Sequence, residues 1–473
     1  MRTKPRSVAL LLSLSSSGAL LGCRPEPAPD PPSIDPGAPP EHPNVLVVLL
    51  DDVGIDHVST YGVDPAAPPT PTLDALASEG MLFHNAYAMP TCTATRSVLL
   101  TGRHARRTGL GSVLWTDSTE LELSLDEITL PEVLAQAPIP YRSGLAGKWH
   151  LSGFLTPTFS MHPRLSGFDW YAGSIGNLFY TIEGGAGLGY YDWEKVEADG
   201  TLHRTQVYAT TDTVDDSLAQ IAVMGEPFLF VTSFNAAHTP FHTPPEHLYT
   251  IDADTNLTRF DAAVEALDTE IGRLIDGIDP QVRARTLILV VGDNGTPDLA
   301  VTPPQNPNRA KGTVYEGGVR VPMLAVGPGV PAGTSSEALV SVVDLLPTLA
   351  QLAGVDLSAV LQDVPIDGVS FLPALYDPDH PGRSHIYTED IVPVGFGPYT
   401  TDDRSLRDAR YKLIRFTNGH EEFYDLSTTP FEEGEDLITP EGPPTDEAFA
   451  AYKALSAELD AIALELASEP SLP

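Results

Sequence analysis

Apolar runs alternate with polar, turn-forming stretches along most of the chain. Val45 to Leu50 is an uninterrupted apolar run, and Phe228 to Phe234 and Thr286 to Val291 have the same texture. Continuous runs of β-branched residues and leucine mark strands covered on both faces, as in parallel sheets. A shorter strand is expected at Tyr141–Ala146. Between the runs the apolar positions fall at helical spacing. Residues 70–80 read as a helix capped by Thr70, with Pro71 in its first turn, Leu73, Leu76 and Ala77 on one face, and Gly80 as the stop. Further helices are expected over Leu130–Ala137, over 256–276 (Leu257, Phe260, Val264, Leu267, Ile271 and Leu274) and over 341–353. Strands alternating with helices give an α/β fold, a large mostly parallel sheet flanked by helices.

The texture changes after about residue 380. Arg410–Arg415 and Glu422–Leu426 suggest an antiparallel hairpin, and a last helix runs from about Asp446 to Ala467. The chain therefore divides into a main α/β domain over 44–380 and a small C-terminal α+β subdomain over 381–473 that contains an antiparallel sheet. The first 43 residues look different again. Arg2, Lys4 and Arg6 precede an apolar stretch from Val8 to Leu21 that is too short to span a membrane, the pattern of a secretory signal over 1–22. Its end, Leu20-Leu21-Gly22-Cys23, resembles a bacterial lipobox, which would make Cys23 the lipidated first residue of the mature chain. The alternative is ordinary signal cleavage with Cys23 incidental. Residues 24–43 hold nine prolines in twenty positions, so 23–43 reads as an extended Pro-rich linker. Export with a lipid anchor as the only membrane attachment is the expectation.

Composition narrows the picture. Of 473 residues, 42% are hydrophobic, enough for a sizeable core. The formal net charge of −37 excludes a general nucleic-acid binder. Two cysteines exclude a disulfide scaffold.

Chemistry gathers where strands end. Open α/β sheets bind ligands beyond the carboxyl ends of their strands. Here the inferred strands exit into Asp51-Asp52, Lys148 and His150, His238, and Asp293-Asn294. Asp51, Asp52, Asp293 and Asn294 offer only oxygen ligands, which suits calcium or magnesium and not zinc. Taken singly, an Asp pair after a strand is an ordinary cap or turn, His238 and His242 are loop histidines, and Lys311 is a surface lysine. Gly317-Gly318 lacks the spacing of a phosphate-binding loop.

The segment Pro90-Thr91-Cys92-Thr93-Ala94-Thr95-Arg96, continuing to Leu100-Thr101-Gly102-Arg103, resembles the sulfatase signature. Further blocks match that family in order from Asn44 onward: Arg107-Thr108-Gly109, Gly147-Lys148-Trp149-His150, His238-Thr239-Pro240-Phe241, Gly292-Asp293-Asn294-Gly295, Lys311-Gly312-Thr313 with Glu316-Gly317-Gly318-Val319-Arg320, and Tyr411-Lys412-Leu413 with Tyr424-Asp425-Leu426. The resemblance implies a sulfuric ester hydrolase of the arylsulfatase-like, formylglycine-dependent type, within the alkaline phosphatase superfamily. It implies that a maturation enzyme oxidises Cys92 to formylglycine (3-oxoalanine), whose hydrate is the nucleophile. It further implies Ca2+ (or Mg2+) on Asp51, Asp52, Asp293 and Asn294, and Asp293 as proton acceptor during attack. Arg96 and Lys148 would hold the nucleophile, and Lys148, His238 and Lys311 would hold the sulfate of a small-molecule or glycan ester. His238 or Lys311 would protonate the leaving alcohol, and His150 would take a proton afterwards. Two other functions stay open on sequence: a phosphonate monoester or phosphodiester hydrolase with the same apparatus, and a non-catalytic sulfate- or glycan-binding lipoprotein.

Two stretches carry expectations of their own. Residues 80–116 contain no Asp or Glu in 37 positions yet include Arg96, Arg103, Arg106 and Arg107. This suggests a positive funnel steering an anionic ester towards residue 92, or else arginines that pair with carboxylates elsewhere. Residues 152–205 are rich in aromatics (Trp170, Tyr171, Tyr180, Tyr190, Tyr191, Trp193), which fits either a sugar or aryl subsite or ordinary core.

Overall fold

The strands are β1 (Asn44–Leu50), β2 (Met81–Tyr87), β3 (Arg142–Gly147), β4 (Trp170–Ala172), β5 (Trp193–Val196), β6 (Leu202–Thr205), β7 (Phe228–Ser233), β8 (Thr286–Gly292), β9 (Met323–Val326), β10 (Thr334–Ser341), β11 (Ile386–Val392), β12 (Thr401–Arg407), β13 (Tyr411–Arg415) and β14 (Glu421–Asp425). They belong to a computed structural model that describes residues 42–116, 119–178, 189–303, 305–427, 429, 431–440 and 442–468. The signal segment, Cys23 and the linker up to residue 41 lie outside the described residues.

Eight strands form one sheet in the order β10-β2-β9-β8-β1-β7-β3-β4. Every neighbouring pair is parallel except the two that involve β9. Residues of β1 show why such strands lack polar alternation. Val45, Val47 and Leu49 enter one core with Val98, Leu99, Leu345 and Leu349. Leu46, Val48 and Leu50 enter the other, with Phe260, Val264, Leu267 and Ile271. Successive side chains point to opposite faces, and both faces are covered. The helices Cys92–Thr101 and Leu345–Leu352 lie on the first face, while Pro71–Glu79, Ala209–Ile221 and Asn256–Gly277 lie on the second.

A separate antiparallel sheet, β11-β12-β13-β14, is covered by the helix Asp446–Ser468 through Leu413, Phe423, Leu455 and Leu459. Glu316 fastens this sheet to the main one. Its buried carboxylate accepts hydrogen bonds from Lys412 Nζ (2.9 Å) and Tyr87 Oη (2.7 Å), with the Arg407 guanidinium 3.7 Å away.

Several expectations need correction. Thr70 does not cap the Pro71–Glu79 helix with its side chain. Its hydroxyl instead engages Ser59, and the carboxylate of Asp268 accepts from the Thr72 and Leu73 amides at 2.9 Å. A carboxylate from a neighbouring helix therefore satisfies the helix start. The helix expected over 130–137 is Leu130–Leu134, and that expected over 341–353 is Leu345–Leu352 after a short 3-10 turn. The C-terminal hairpin is half of a four-stranded sheet.

Candidate active site

Four adjacent parallel strands, β8, β1, β7 and β3, end side by side. Their exits carry Asp293-Asn294, Asp51-Asp52, His238, and Lys148 with His150. Cys92 arrives from beyond β2 as the first residue of a ten-residue helix buried along its whole length. The free amides at that helix start make residue 92 a favourable place for negative charge. Lys311 comes from the loop between β8 and β9. Ligand atoms of Asp51, Asp52, Cys92 and His238 lie within 4.8 Å of one another. The structure thus brings together all ten residues singled out from the sequence.

The contacts are dense. Lys311 Nζ donates to Asp52 Oδ1 and stands 3.5 Å from Cys92 Sγ. Lys148 Nζ donates to Asp51 Oδ2 at 2.5 Å. Arg96 donates to Lys148 O (2.8 Å), Ser233 Oγ (2.5 Å) and Asp293 Oδ2 (3.0 Å). His238 Nε2 lies 3.8 Å from Asp52 Oδ2. Backbone conformation is also unusual here: Asp52 and His150 have φ of 67° and 61°, a region that L-residues avoid unless their surroundings impose it. Gly147, with φ of 99°, ends β3, and a Cβ there would sit 2.0 Å from the Ser233 carbonyl oxygen. Only glycine lets the chain turn Lys148 into the site at this approach.

Hydrogen bonds fix the histidine tautomers. Carbonyl oxygens only accept, so His150 Nε2–H donates to Leu114 O (3.0 Å) and leaves the lone pair on Nδ1, which is buried without a partner. His238 Nδ1–H donates to Thr239 O (2.7 Å), which leaves Nε2 facing the aspartates. Burial, reinforced by the charges of Lys148 and Arg96, holds the His150 pKa well below the usual imidazole range. Burial, opposed by Asp52 and aided by Lys311 and Lys148, brings His238 to about 3. Burial and the nearby Asp51 raise Asp293 to about 7. Burial would raise Asp52 too, but Lys311, His238 and Lys148 hold it well below the carboxylate range. Lys311 is pushed the other way: burial opposes its charge, yet Asp52 keeps it firmly protonated. Burial raises the Cys92 thiol to about 12, so the unmodified sulfur is a poor nucleophile at neutral pH.

The oxygen set fits a hard divalent cation. Asn294 Nδ2 donates to Asp52 Oδ1 (2.8 Å) and Gly295 O (2.9 Å), which points its Oδ1 the other way. That atom and Asp51 Oδ1 are buried acceptors without partners, groups that cost about 1–3 kcal/mol each unless something satisfies them.

Ser233, at the end of β7, was not legible as a site residue. Its hydroxyl accepts from Arg96 and donates to Lys148 O at 2.7 Å. The available signal was its place as the last residue of a buried strand at the carboxyl edge. His242 lies in a loop, as expected, and stacks on Tyr190 with ring centroids 3.8 Å apart. The positive funnel is overturned. Arg103 pairs with Glu127, Arg106 with Glu389 and Asp402, Arg107 with Asp367 and Glu465, and Arg96 with Asp293. Acidic residues distant in sequence supply the charge missing from 80–116. Among the aromatics, Tyr171, Tyr190 and Trp193 are core and Trp170 packs on Phe230. Tyr191 is 41% exposed, and Tyr180 lies outside the described residues.

Two family models match: Sulfatase over residues 43–355, and N-sulphoglucosamine sulphohydrolase, C-terminal, over 309–442. The chain is similar to N-acetylgalactosamine-6-sulfatase of Canis lupus familiaris (33% identity, 76% of this chain and 71% of that one). It is also similar to arylsulfatase A of Bos taurus (32% identity, 80% and 75%). It spans 66% of the length of the N-acetylgalactosamine-6-sulfatase of Sus scrofa, at 33% identity and 71% coverage of this chain. Two solved structures share the fold: one in complex with k-i-k-neocarrahexaose (TM-score 0.73, 24% identity, 89% of this chain and 92% of that one), the other in complex with its substrate D-glucosamine-2-N,6-O-disulfate (TM-score 0.69, 20% identity, 91% and 99%).

Proposed function

The chain belongs to the sulfatase family of sulfuric ester hydrolases, and we propose that it releases sulfate from an organic sulfate ester with residue 92 as the nucleophile. The observation that carries this reading is Cys92 at a helix start, 3.5 Å from Lys311 Nζ and grouped with Asp51, Asp52 and His238. Asp51, Asp52, Asp293 and Asn294 would hold Ca2+ or Mg2+. That ion would act as a Lewis acid, lowering the pKa of a hydroxyl and drawing charge from a sulfate oxygen. Oxidation of Cys92 to formylglycine by a maturation enzyme, followed by addition of water to the aldehyde, would supply that hydroxyl in place of the inert thiol.

The chain's own side chains then divide the work. Lys148, His238 and Lys311 surround the position of the sulfate as preorganised polar groups. Arg96, fixed by Ser233, Asp293 and the Lys148 carbonyl, keeps residue 92 and Lys148 in register. Lys311 is the better donor to the departing alcohol, because it carries a proton while burial keeps His238 neutral. His150 offers a buried, unpartnered Nδ1 lone pair as a proton acceptor. The relatives' names put sulfated amino sugars first among esters to assay.

The test is a parallel assay of aryl sulfates, sulfated sugars, phosphodiesters and phosphonate monoesters, using enzyme made together with a formylglycine-generating partner. Sulfate release that vanishes in Cys92→Ala supports the proposal. A preference for phosphorus esters overturns the choice of substrate. Export and lipid tethering through Cys23 belong to the same proposal and rest on the sequence of residues 1–23. Cys23→Ser is expected to release the protein from the membrane fraction, and retention there would refute the anchor.

A further inference from the structure

His238 stands on a tight turn at the exit of β7, closed by its own amide donating to Asn235 O at 3.0 Å. The same turn supports the neighbouring strand exit, because the Asp51 amide donates to Ala236 O at 3.0 Å. A side chain from a distant part of the sequence spans both ends of this turn. The Tyr190 hydroxyl donates to His238 O at 2.7 Å and to Asn235 O, a three-centre bond across both ends of the turn. We propose that Tyr190 is a positioning residue, whose phenol holds the Asn235–His238 turn and through it sets the places of the His238 imidazole and of Asp51. The proposal rests on the reading of His238 as a sulfate-facing group.

The coupling from phenol to imidazole is short. His238 Nδ1–H donates to the adjacent Thr239 carbonyl at 2.7 Å, so the ring is oriented by the backbone that Tyr190 grips. Asn235 is latched on the opposite side, its Nδ2 donating to Ser174 Oγ at 3.1 Å. Tyr190 is itself held independently of its hydroxyl. Its ring is 1% exposed and lies flat on His242, with centroids 3.8 Å apart and planes 22° apart. His242 is fixed in turn, with Nδ1–H donating to Pro240 O (3.0 Å) and Nε2 accepting from Tyr208 Oη (2.9 Å). Removing only the hydroxyl therefore releases the turn while the ring keeps its packing. Burial holds the phenol's pKa well above its usual value, and Asp51 and Asp52 add to this, so the donor proton stays in place.

The test is a cycle of Tyr190→Phe, His238→Ala and the double variant, read by steady-state kinetics and by hydrogen exchange. In the wild-type background Tyr190→Phe is expected to lower kcat by about ten- to a hundredfold, the usual cost of losing a supporting partner, with KM moved far less. In the His238→Ala background the same change is expected to cost clearly less, because the part that acts through the His238 imidazole is already lost and only the part through Asp51 remains. Independently of activity, exchange of the His238 and Asp51 amides is expected to quicken in Tyr190→Phe, with the rest of the protein and its unfolding midpoint unchanged. Equal losses of kcat in both backgrounds, or unchanged exchange at those amides, would overturn the proposal. Should the wild type cleave no sulfate ester, the sulfatase reading falls on its own, and the exchange measurement still decides whether Tyr190 holds the turn.

Discussion

Arg96 Nη1 donates to two oxygens at once, Lys148 O and Ser233 Oγ, and the serine closes the triangle by donating to the same carbonyl. Ser233→Ala removes one partner from a buried guanidinium and one donor from the Lys148 carbonyl. Steady-state kinetics should show kcat down by about tenfold or more, as for other supporting contacts, with KM little changed. An unchanged kcat would mean that Arg96 needs no such support. Asp51, Asp52, Lys148, His150, His238, Asp293 and Asn294 were legible as polar groups at strand exits, whereas Cys92, Arg96 and Lys311 were legible only through the segments that resemble the family. Ser233 and Tyr190 were not legible, because serine and tyrosine serve so many ordinary roles that position alone marks them. Tyr190 reaches His238 across 48 residues, a juxtaposition that only the folded chain creates.

The Cys92–Thr101 helix is held at its far end by Gly102, whose φ of 66° lies in the left-handed region and whose amide bonds Val98 O at 2.9 Å. A Cβ there would sit 3.2 Å from Leu346 Cβ. Gly102→Ala should therefore lower stability by about 1–2 kcal/mol for the backbone alone, with crowding against Leu346 added, and thermal or denaturant unfolding measures it. No loss would mean that the helix end relaxes freely. Buried strands with continuous apolar runs were readable because both their faces are covered. β2, β9 and β10 were missed for physical reasons. Met81–Tyr87 carries His84 and Asn85 within the strand, Met323–Val326 is short, and Thr334–Ser341 begins with polar residues at the sheet's end. Thr70 was misread because its cap role passed to Asp268, which lies far away in sequence.

The two sheets act together through the buried carboxylate of Glu316. Burial alone would raise its pKa, but Lys412, Arg407 and Arg320 bring it to about 2. A carboxyl depressed in this way stabilises the fold above its unfolded pKa of 4.5, and that contribution is lost as pH falls from there through about 2. Glu316→Gln should cost about 3–5 kcal/mol at neutral pH, the usual result of leaving buried cations without their partner. The gap in unfolding midpoint from wild type should close as the medium is acidified, and a gap independent of pH would refute this role. The charge of the whole chain, −37, acts at longer range. With Arg103, Arg106 and Arg107 already paired, the acidic body repels an anionic ester, so kcat/KM for such a substrate should rise with added salt. A steep fall with salt would restore the steering funnel that the structure overturns. The most direct check on the whole account is the mass of the peptide that ends at Arg96, taken from active protein of the native host. The mass of an aldehyde at residue 92 is the expected result, and an unmodified thiol throughout a preparation that releases sulfate would refute formylglycine as the source of the nucleophile.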